Sequence, residues 1–365
     1  MSISVPHFLK VFFLFSSHFK LKMKQIKNVI KTSLIFAMAI SLSACNSAKS
    51  KANTKSLEAM DTYMTIRSFG KKGELANEKA AQRIKEIENL ISTTRAESEV
   101  SLLNNAGGQT LQVSDDTLRL VKFTKQGAEK SGGAFNPVLY PVTKAWGFTT
   151  KNYTVPSAAT IADLLTKTDY SKITFDEKEK TVQIPADMKF DFGAVGKGFT
   201  GDEVLSIFKS MGIKSALLDL GGNVQVLGKK TDGSPWVIGL KNPWGGEVPV
   251  AVYLDDCAMI TSGGYERYFT ADDGKSYIHI IDGNTGYPVE NELVSATIVC
   301  KSGLYGDYLS TTLFVLGKDK AIEFWRKNPD FDFILMTEDQ SLVYTKGLEG
   351  RISVFAQFNN VEVVR

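Results

Sequence analysis

The sequence predicts an α+β domain rich in antiparallel sheet. Three observations carry that prediction. In a few well-spaced segments apolar residues recur every three or four positions, the mark of an amphipathic helix. Elsewhere short runs of β-branched and aromatic residues end at Gly, Asn or Asp turns, the mark of strands. From Ser215 onward the strand pattern dominates, with helical patterns returning near the C-terminus.

Taken in order, residues 1–44 read as a targeting segment. Met23-Lys-Gln-Ile-Lys27-Asn-Val-Ile-Lys31 is a basic start, Thr32 to Ser43 is an apolar run, and the run ends in Leu42-Ser43-Ala44-Cys45. A small-residue site followed by cysteine resembles the signal of a bacterial lipoprotein, with translation starting at Met23 and lipid on Cys45. The alternative is an ordinary signal peptide with a chance cysteine. The apolar run is too short for a stable transmembrane helix. The expected location is therefore a bacterial membrane, on its periplasmic or extracytoplasmic face. Residues 45–56, rich in Ser, Ala, Lys and Asn, read as a lipidated tether, and 57–365 as a single domain.

Removing that segment changes the charge. The whole chain has 43 basic and 40 acidic residues, but residues 1–44 hold six lysines and no acids, so the remainder carries −3. No basic stripe is left, which excludes nucleic acid as a partner. The 321 residues from Cys45 on suffice for one large domain or two packed lobes. Cys257 and Cys300 lie in apolar, strand-like runs. They could pair in an oxidising compartment or stay as two buried thiols. With no C-x-x-C, zinc and thioredoxin-like sites are unsupported.

Met60 to Phe69 alternates like a strand. Glu74 to Ile91 places Ala80, Ile84, Ile87 and Ile91 on one helix face. Ser114 starts a second helix, with Asp115 and Asp116 in its first turn and Gly132-Gly133 at its end. Lys172–Phe175 and Thr181–Ile184 flank a charged turn and form a hairpin. Met188 to Phe190 reads as a short strand before a glycine turn and a helix bearing Val204, Leu205, Phe208 and Met211. Strands follow at 216–220, 223–227, 236–240, 248–254, 265–269 and 277–281, the last two joined by the Asp273-Gly274 turn. Leu304 to Leu316 and Ala321 to Lys327 are helical, and closing strands end the chain.

Asp191-Phe-Gly-Ala-Val-Gly-Lys197-Gly is the most informative segment. Glycine permits close backbone approach to a ligand, and a lysine beside exposed amides suits a phosphate. It is neither a dinucleotide fingerprint nor a P-loop, because its glycines run G-x-x-G-x-G and Gly198 stands where a P-loop needs Ser or Thr. A plain surface turn is the competing reading. Four more polar or glycine-rich segments accompany it. They are Ser131-Gly-Gly-Ala134-Phe135-Asn136-Pro137, Leu218-Asp-Leu-Gly221-Gly222-Asn223, Thr261-Ser262-Gly-Gly-Tyr265-Glu-Arg267 and His279-Ile-Ile-Asp282-Gly-Asn-Thr285-Gly286. Each could be a turn; together they suggest loops converging on a nucleotide-like ligand.

On the helix Leu304–Leu316, Asp307 and Thr311 share one face while Leu309, Leu313 and Leu316 take the other. So apolar a helix is buried, and a buried carboxylate needs a partner. One solution is a hard cation held by oxygen, Mg²⁺ rather than zinc or copper in a chain with one histidine after residue 44. The other is Asp307 as an N-cap, with Thr311 bonded back to the backbone.

In this order the motifs resemble the ApbE-type flavin transferases. They run Ala59-Met60-Asp-Thr62, Ser98-Glu-Val-Ser101 with Asn104, Gly132-Gly-Ala-Phe135-Asn-Pro137, the segment from Asp191, Leu220-Gly-Gly-Asn223, Thr261-Ser262-Gly, His279-Ile-Ile-Asp282 with Thr285-Gly286, and Asp307 with Thr311. The resemblance covers nearly all of the chain after Met60. It implies an ApbE-like, T-fold-like mixed domain with antiparallel sheets and packed helices. It also implies Mg²⁺-dependent transfer of FMN from FAD to a threonine hydroxyl of an acceptor protein, through a phosphoester bond, releasing AMP. Carried over, Met60, Thr94, Ala134, Phe135, Asn136, Asp191, Lys197 and Ile278 would line the FAD site. The Ala194 carbonyl, Asp307 and Thr311 would hold Mg²⁺. His279 would be the general base, and Lys197 the cation beside the reacting phosphate.

Three positions depart from the family pattern. Asp61 stands where glycine is usual, Thr94 where an aromatic is often found, and Asn136 where an aspartate is usual. They bear on flavin affinity more than on the reaction. Two other functions share the site: an FAD pyrophosphatase with water as acceptor, and a lipid-anchored flavin-binding protein. Intact Asp191, Lys197, His279, Asp307 and Thr311 weigh against pure binding. Without the resemblance, His279 in its strand pattern reads as structural.

Overall fold

The computed structural model describes residues 52–272 and 274–365. The targeting segment and lipidated Cys45 expected at 1–51, and Asp273 of the expected turn, lie outside the described residues. The chain begins with β1 (Ala52–Ala59) and β2 (Thr62–Phe69), then α1 (Gly73–Ile91), α2 (Glu99–Asn104), β3 (Leu111–Gln112), α3 (Asp115–Lys130), α4 (Tyr140–Ala145) and α5 (Ala158–Leu165). The hairpin β4 (Thr174–Asp176) and β5 (Thr181–Gln183) leads to α6 (Gly196–Ser210), β6 (Ala216–Asp219), β7 (Asn223–Leu227), β8 (Trp236–Gly239) and β9 (Val250–Leu254). β10 (Ala258–Gly263), β11 (Tyr268–Thr270), β12 (Ser276–Ile278) and β13 (Leu293–Cys300) precede α7 (Gly303–Leu316) and α8 (Lys318–Lys327). β14 (Asp332–Thr337), β15 (Ser341–Thr345), β16 (Ile352–Val354) and β17 (Asn360–Val364) close the chain.

Nine strands form one sheet in the order β1-β2-β6-β7-β10-β13-β14-β15-β17. Every pairing in it is antiparallel except β15 with β17. Alternation divides its side chains between two cores, as the pleat requires. Ile298, Phe333 and Leu335 face α3 and α7, and Met64, Ile66 and Leu218 face α1 and α6. Leu217, Val226, Val299, Ile334 and Met336 face the other way, onto the three-stranded sheet β16-β9-β8. This is the α+β, largely antiparallel fold expected from the sequence.

The differences from expectation have local causes. The tether reading of 45–56 runs too far, because Ala52–Ala59 is a strand paired along its length with β2. Its polar composition belongs to an edge strand whose residues alternate between exposed and half-buried. Met188–Phe190 is not a strand. The side chain of Asn104 takes the place of a partner strand, donating to the Phe190 carbonyl (2.9 Å) and accepting from its amide (2.6 Å). Thr261-Ser262-Gly263 is no turn but the end of central strand β10, and the following strand is confined to 268–270. Cys257 and Cys300 are free and buried. Cys300 is paired opposite Ala258, so the neighbouring Cys257 points to the other face of the sheet, where no disulfide can reach it.

Candidate active site

The segment from Asp191 is a loop that turns into α6. Asp191 is fixed from both sides: its amide donates to the Pro137 carbonyl (2.9 Å), and its Oδ1 accepts from Gly193 (2.8 Å). Burial raises its pKa, partly offset by that amide and by the charge of Arg267. Gly193 and Ala194 are exposed, so their backbone is open to a ligand. The later glycines have another purpose. A methyl on Gly198 would collide with the Gly303 carbonyl, and one on Gly201 or Gly303 with the Gln225 amide. They let α6 and α7 touch backbone to backbone over β7, so only part of the glycine signal concerns a ligand.

That close approach brings the chemistry together. Asp307 lies in the second turn of α7 and is 6 % exposed. It is not an N-cap: Ser302 caps the helix, and Asp202 from α6 adds bonds to Gly303 N (2.6 Å) and Leu304 N (3.0 Å). Asp307 accepts from Gly198 N (2.5 Å) and from Asn223 Nδ2 (3.0 Å). Burial pushes its pKa up to about 6, against the pull of Lys197 and those two donors. Thr311, one turn further on, is half-buried and its hydroxyl is not tied to the backbone.

Lys197 Nζ donates to the carbonyl of Gly221 (3.3 Å), in the β6–β7 turn. A side chain on Gly221 would strike Thr62, and its φ of +74° is a glycine conformation. Lys197 is near enough to act electrostatically on Asp219, Asp307 and His279. His279 follows β12 directly. Its amide (3.0 Å) and its Nδ1 (3.1 Å) both meet the Arg267 carbonyl. A carbonyl only accepts, so Nδ1 carries the proton and Nε2 keeps a free lone pair. Burial, with Arg267 and Lys197 nearby, lowers its pKa to about 4. The ring is therefore neutral at pH 7, and its titration lies well below the ordinary histidine range.

The other expected residues are placed as follows. Met60 and Asp61 are the two central residues of the β1–β2 turn, with φ of +51° and +59°. A two-residue hairpin with both φ positive is the type that favours glycine and tolerates Asp, which accounts for Asp61 in a glycine's place. Met60 N donates to Glu88 (2.7 Å), and Thr200 reaches its sulfur. Ala134 and Phe135 are buried, the Phe135 ring edge-on to Tyr308 at 5.2 Å, so they meet the core rather than open space. Asn136 Nδ2 donates to the Thr168 carbonyl (2.9 Å) while its Oδ1 accepts from Val138 N (3.0 Å). A carboxylate could not make the first bond, so here the amide holds the loop. Thr94 is exposed and bonded to Ser92, with no aromatic contact. Ile278 packs against Gly264.

Sequence reasoning missed Arg267, Asp219, Asn223 as a partner of Asp307, and Gln225. Arg267 acts on both Asp191 and His279, and Asp61 lies 4.0 Å from it. Its signal, a cation two positions after Tyr265 in a glycine-led loop, was visible but not assigned a role. Among the described residues, no three His, Cys, Asp or Glu side chains cluster as a metal site. An oxygen-only donor set of one carboxylate, one hydroxyl and a backbone carbonyl would not register as such a cluster, and it suits a hard cation.

Residues 60–335 match the sequence profile of the ApbE family. This chain belongs to the ApbE family. It is 35 % identical to an FAD:protein FMN transferase of Klebsiella pneumoniae (strain 342), over 74 % of this chain and 85 % of that protein. It is 30 % identical to the protein of that name in Haemophilus influenzae, over 87 % and 96 %. An ApbE protein structure from Thermotoga maritima superimposes with a TM-score of 0.78 at 31 % identity, covering 82 % of this chain and 99 % of that one. The apo flavinyl transferase ApbE of Pseudomonas stutzeri gives 0.75 at 27 %, covering 84 % and 98 %. The ApbE-like fold expected from the motifs is the fold observed.

Proposed function

We propose that this chain transfers FMN from FAD to a threonine hydroxyl of an acceptor protein. The observation that carries the reading is the convergence of Lys197, Asp307 and His279, drawn from three separate segments, at one end of the main sheet. The acceptor oxygen attacks the phosphorus of the FMN half, its proton passes to Nε2 of His279, and the bond to the AMP half breaks with AMP keeping the bridging oxygen. Lys197 and Arg267 supply positive charge where the pyrophosphate would lie, and charge stabilisation is the main task in phosphoryl-type transfer. The same two cations depress the basicity of His279; an anionic pyrophosphate beside them would restore it. From Gly193 to Gly198 the amides of Gly193, Val195, Gly196 and Gly198 are taken internally, which leaves those of Ala194 and Lys197 to meet a phosphate.

Asp307, the Thr311 hydroxyl and the Ala194 carbonyl would hold Mg²⁺. Asp307 already uses a lone pair on each oxygen and has others free. When bound, the ion would neutralise pyrophosphate charge. Lipid on Cys45 would keep the enzyme on the extracytoplasmic face of a membrane. The test is incubation with FAD, Mg²⁺ and a candidate acceptor domain, followed by the mass of the acceptor. A gain equal to FMN with one AMP per transfer supports the reading. FMN and AMP released equally with and without acceptor would replace it with FAD hydrolysis.

A further inference from the structure

The two ends of the main sheet differ in character. Ala59, Thr62, Leu220–Asn223 and the end of β10 form the end described above. The opposite end runs across four neighbouring strands. Ala52 pairs with Phe69, the Phe69 amide donates to the Ser215 carbonyl, Ala216 pairs with Leu227, and Gly228 lies against the Lys214 carbonyl. This end carries Lys71 and Lys72 after β2, Lys209 in the last turn of α6, Lys214 before β6 and Lys230 after β7. These five make no ion pair among the described residues, and four of them are exposed. Leu75, 56 % exposed, stands beside Lys71 and Lys72 in the first turn of α1. The acids at this end are Glu74, Asp232, Asp255 and Asp256, with Asp330 and Asp332 further along the sheet beside Lys301 and Arg351. Lys229 takes Asp255 (3.6 Å), and Lys301 reaches the Asp256 carbonyl (3.0 Å). The end is basic in a chain that is otherwise acidic beyond residue 44.

The chain also enters the fold here. Ala52 lies seven residues after Cys45, and seven residues span at most about 25 Å. A lipid on Cys45 therefore keeps this end within about 25 Å of the bilayer. We propose that the face carrying Lys71, Lys72, Lys209, Lys214 and Lys230 docks on anionic lipid headgroups, with Leu75 at the boundary. This rests on the lipid-anchor reading of Cys45. Lysines near an anionic bilayer attract it additively, so the tether alone does not set the pose. The eight residues of β1 span about 25 Å, so docking holds His279 and Lys197 that far above the headgroups, facing the aqueous side from which an acceptor domain arrives.

The experiment uses the lipid-bearing mature protein on vesicles of phosphatidylcholine, with or without about one-third phosphatidylglycerol. Lysines are acetylated briefly and quantified by peptide mass. Lys71, Lys72, Lys214 and Lys230 should be protected about threefold or more on the anionic vesicles, relieved by high salt. Exposed Lys151 and Lys178 should label equally on both. Equal labelling of the four on both vesicles overturns the proposal, and would favour an acidic protein as the partner of this face. Lys71→Glu, Lys72→Glu, Lys214→Glu and Lys230→Glu together should leave FMN transfer in solution unchanged. They should weaken the salt-sensitive part of vesicle binding on the order of a hundredfold; undiminished salt-sensitive binding also overturns it. The N-terminal mass reports lipid on Cys45 separately. A chain without lipid whose lysines are still protected keeps the basic face and loses the anchor.

Discussion

At the scale of single residues, two side chains carry the proposed chemistry. His279 donates from Nδ1 to the Arg267 carbonyl and keeps Nε2 free. With its pKa near 4 in the free enzyme, His279 itself adds no rise in kcat/KM between about pH 5 and 7.5, in place of the expected ordinary histidine titration; a rise near pH 6 belongs to Asp307. His279→Ala should retain FAD binding and lose transfer by roughly 10²–10⁴-fold, the usual worth of a general base; near-normal transfer would return it to a structural role. The same shift affects stability. The folded pKa lies below the unfolded value, so the neutral ring stabilises the fold fully above about pH 6.5, and that contribution is lost as pH falls toward 4. The Tm of His279→Gln should therefore fall less than that of the parent between pH 7 and 4.5. Asp307 is both an expected metal ligand and the acceptor for Gly198 N and Asn223. Asp307→Ala orphans two buried donors at about 1–3 kcal/mol each, so it does not leave the fold untouched as a mere ligand deletion would. Asp307→Asn keeps an acceptor for Gly198. It should hold Tm within a few degrees while Mg²⁺-dependent transfer drops about a hundredfold or more; full activity in chelator would exclude the metal site.

At the scale of elements, the junction of α6, α7 and β7 sets the distances in the site. Gly198 and Gly303 face each other with no room for a methyl, and Gln225 fills the space beside Gly201. Gly198→Ala should cost about 2–3 kcal/mol by overpacking and shift Asp307 away from Lys197. Thermal unfolding with parent-like Tm would show that the helices can separate at no cost. This junction was not legible in the sequence, where its glycines looked like a phosphate loop. Local spacing fixes which face of a helix is apolar, but not which backbone it will touch. The helices Gly73–Ile91 and Gly303–Leu316 and the 174–183 hairpin were legible because their periodicity or turn chemistry is contained within them. The strand β1 and the loop at Met188–Phe190 were not, since an edge position and the Asn104 side chain, both long-range facts, decide them. Asp191, Lys197, His279 and Asp307 were singled out by motifs, whereas Arg267 and Asn223 gained meaning only once their neighbours were placed.

At the scale of the whole molecule, the first described strand separates tether from fold. The family profile begins at residue 60, yet Ala52–Ala59 completes the nine-stranded sheet and covers β2 along its full length. Ala59 and Leu57 pack with Met64, Ile66, Ala76 and Ile84 beneath α1, and Met60 N is bonded to Glu88 on that helix. The hairpin thus fixes α1, and through it the packing of α6 that carries Lys197. Removing residues 46–51 should leave Tm and transfer in solution unchanged. Removing 46–59 strips a strand from the sheet, exposes the edge of β2 and uncovers part of that core. Burial of Ala59 and part of Leu57, with the lost pairing, corresponds to a few kcal/mol, about the margin of a typical domain. The longer deletion should lower Tm by several degrees or more, raise aggregation through the bare β2 edge and weaken FAD binding. Paired melting curves and light scattering of the two deletions check this. Equal behaviour would mean that the strand is dispensable and that the tether reading of 45–56 stands.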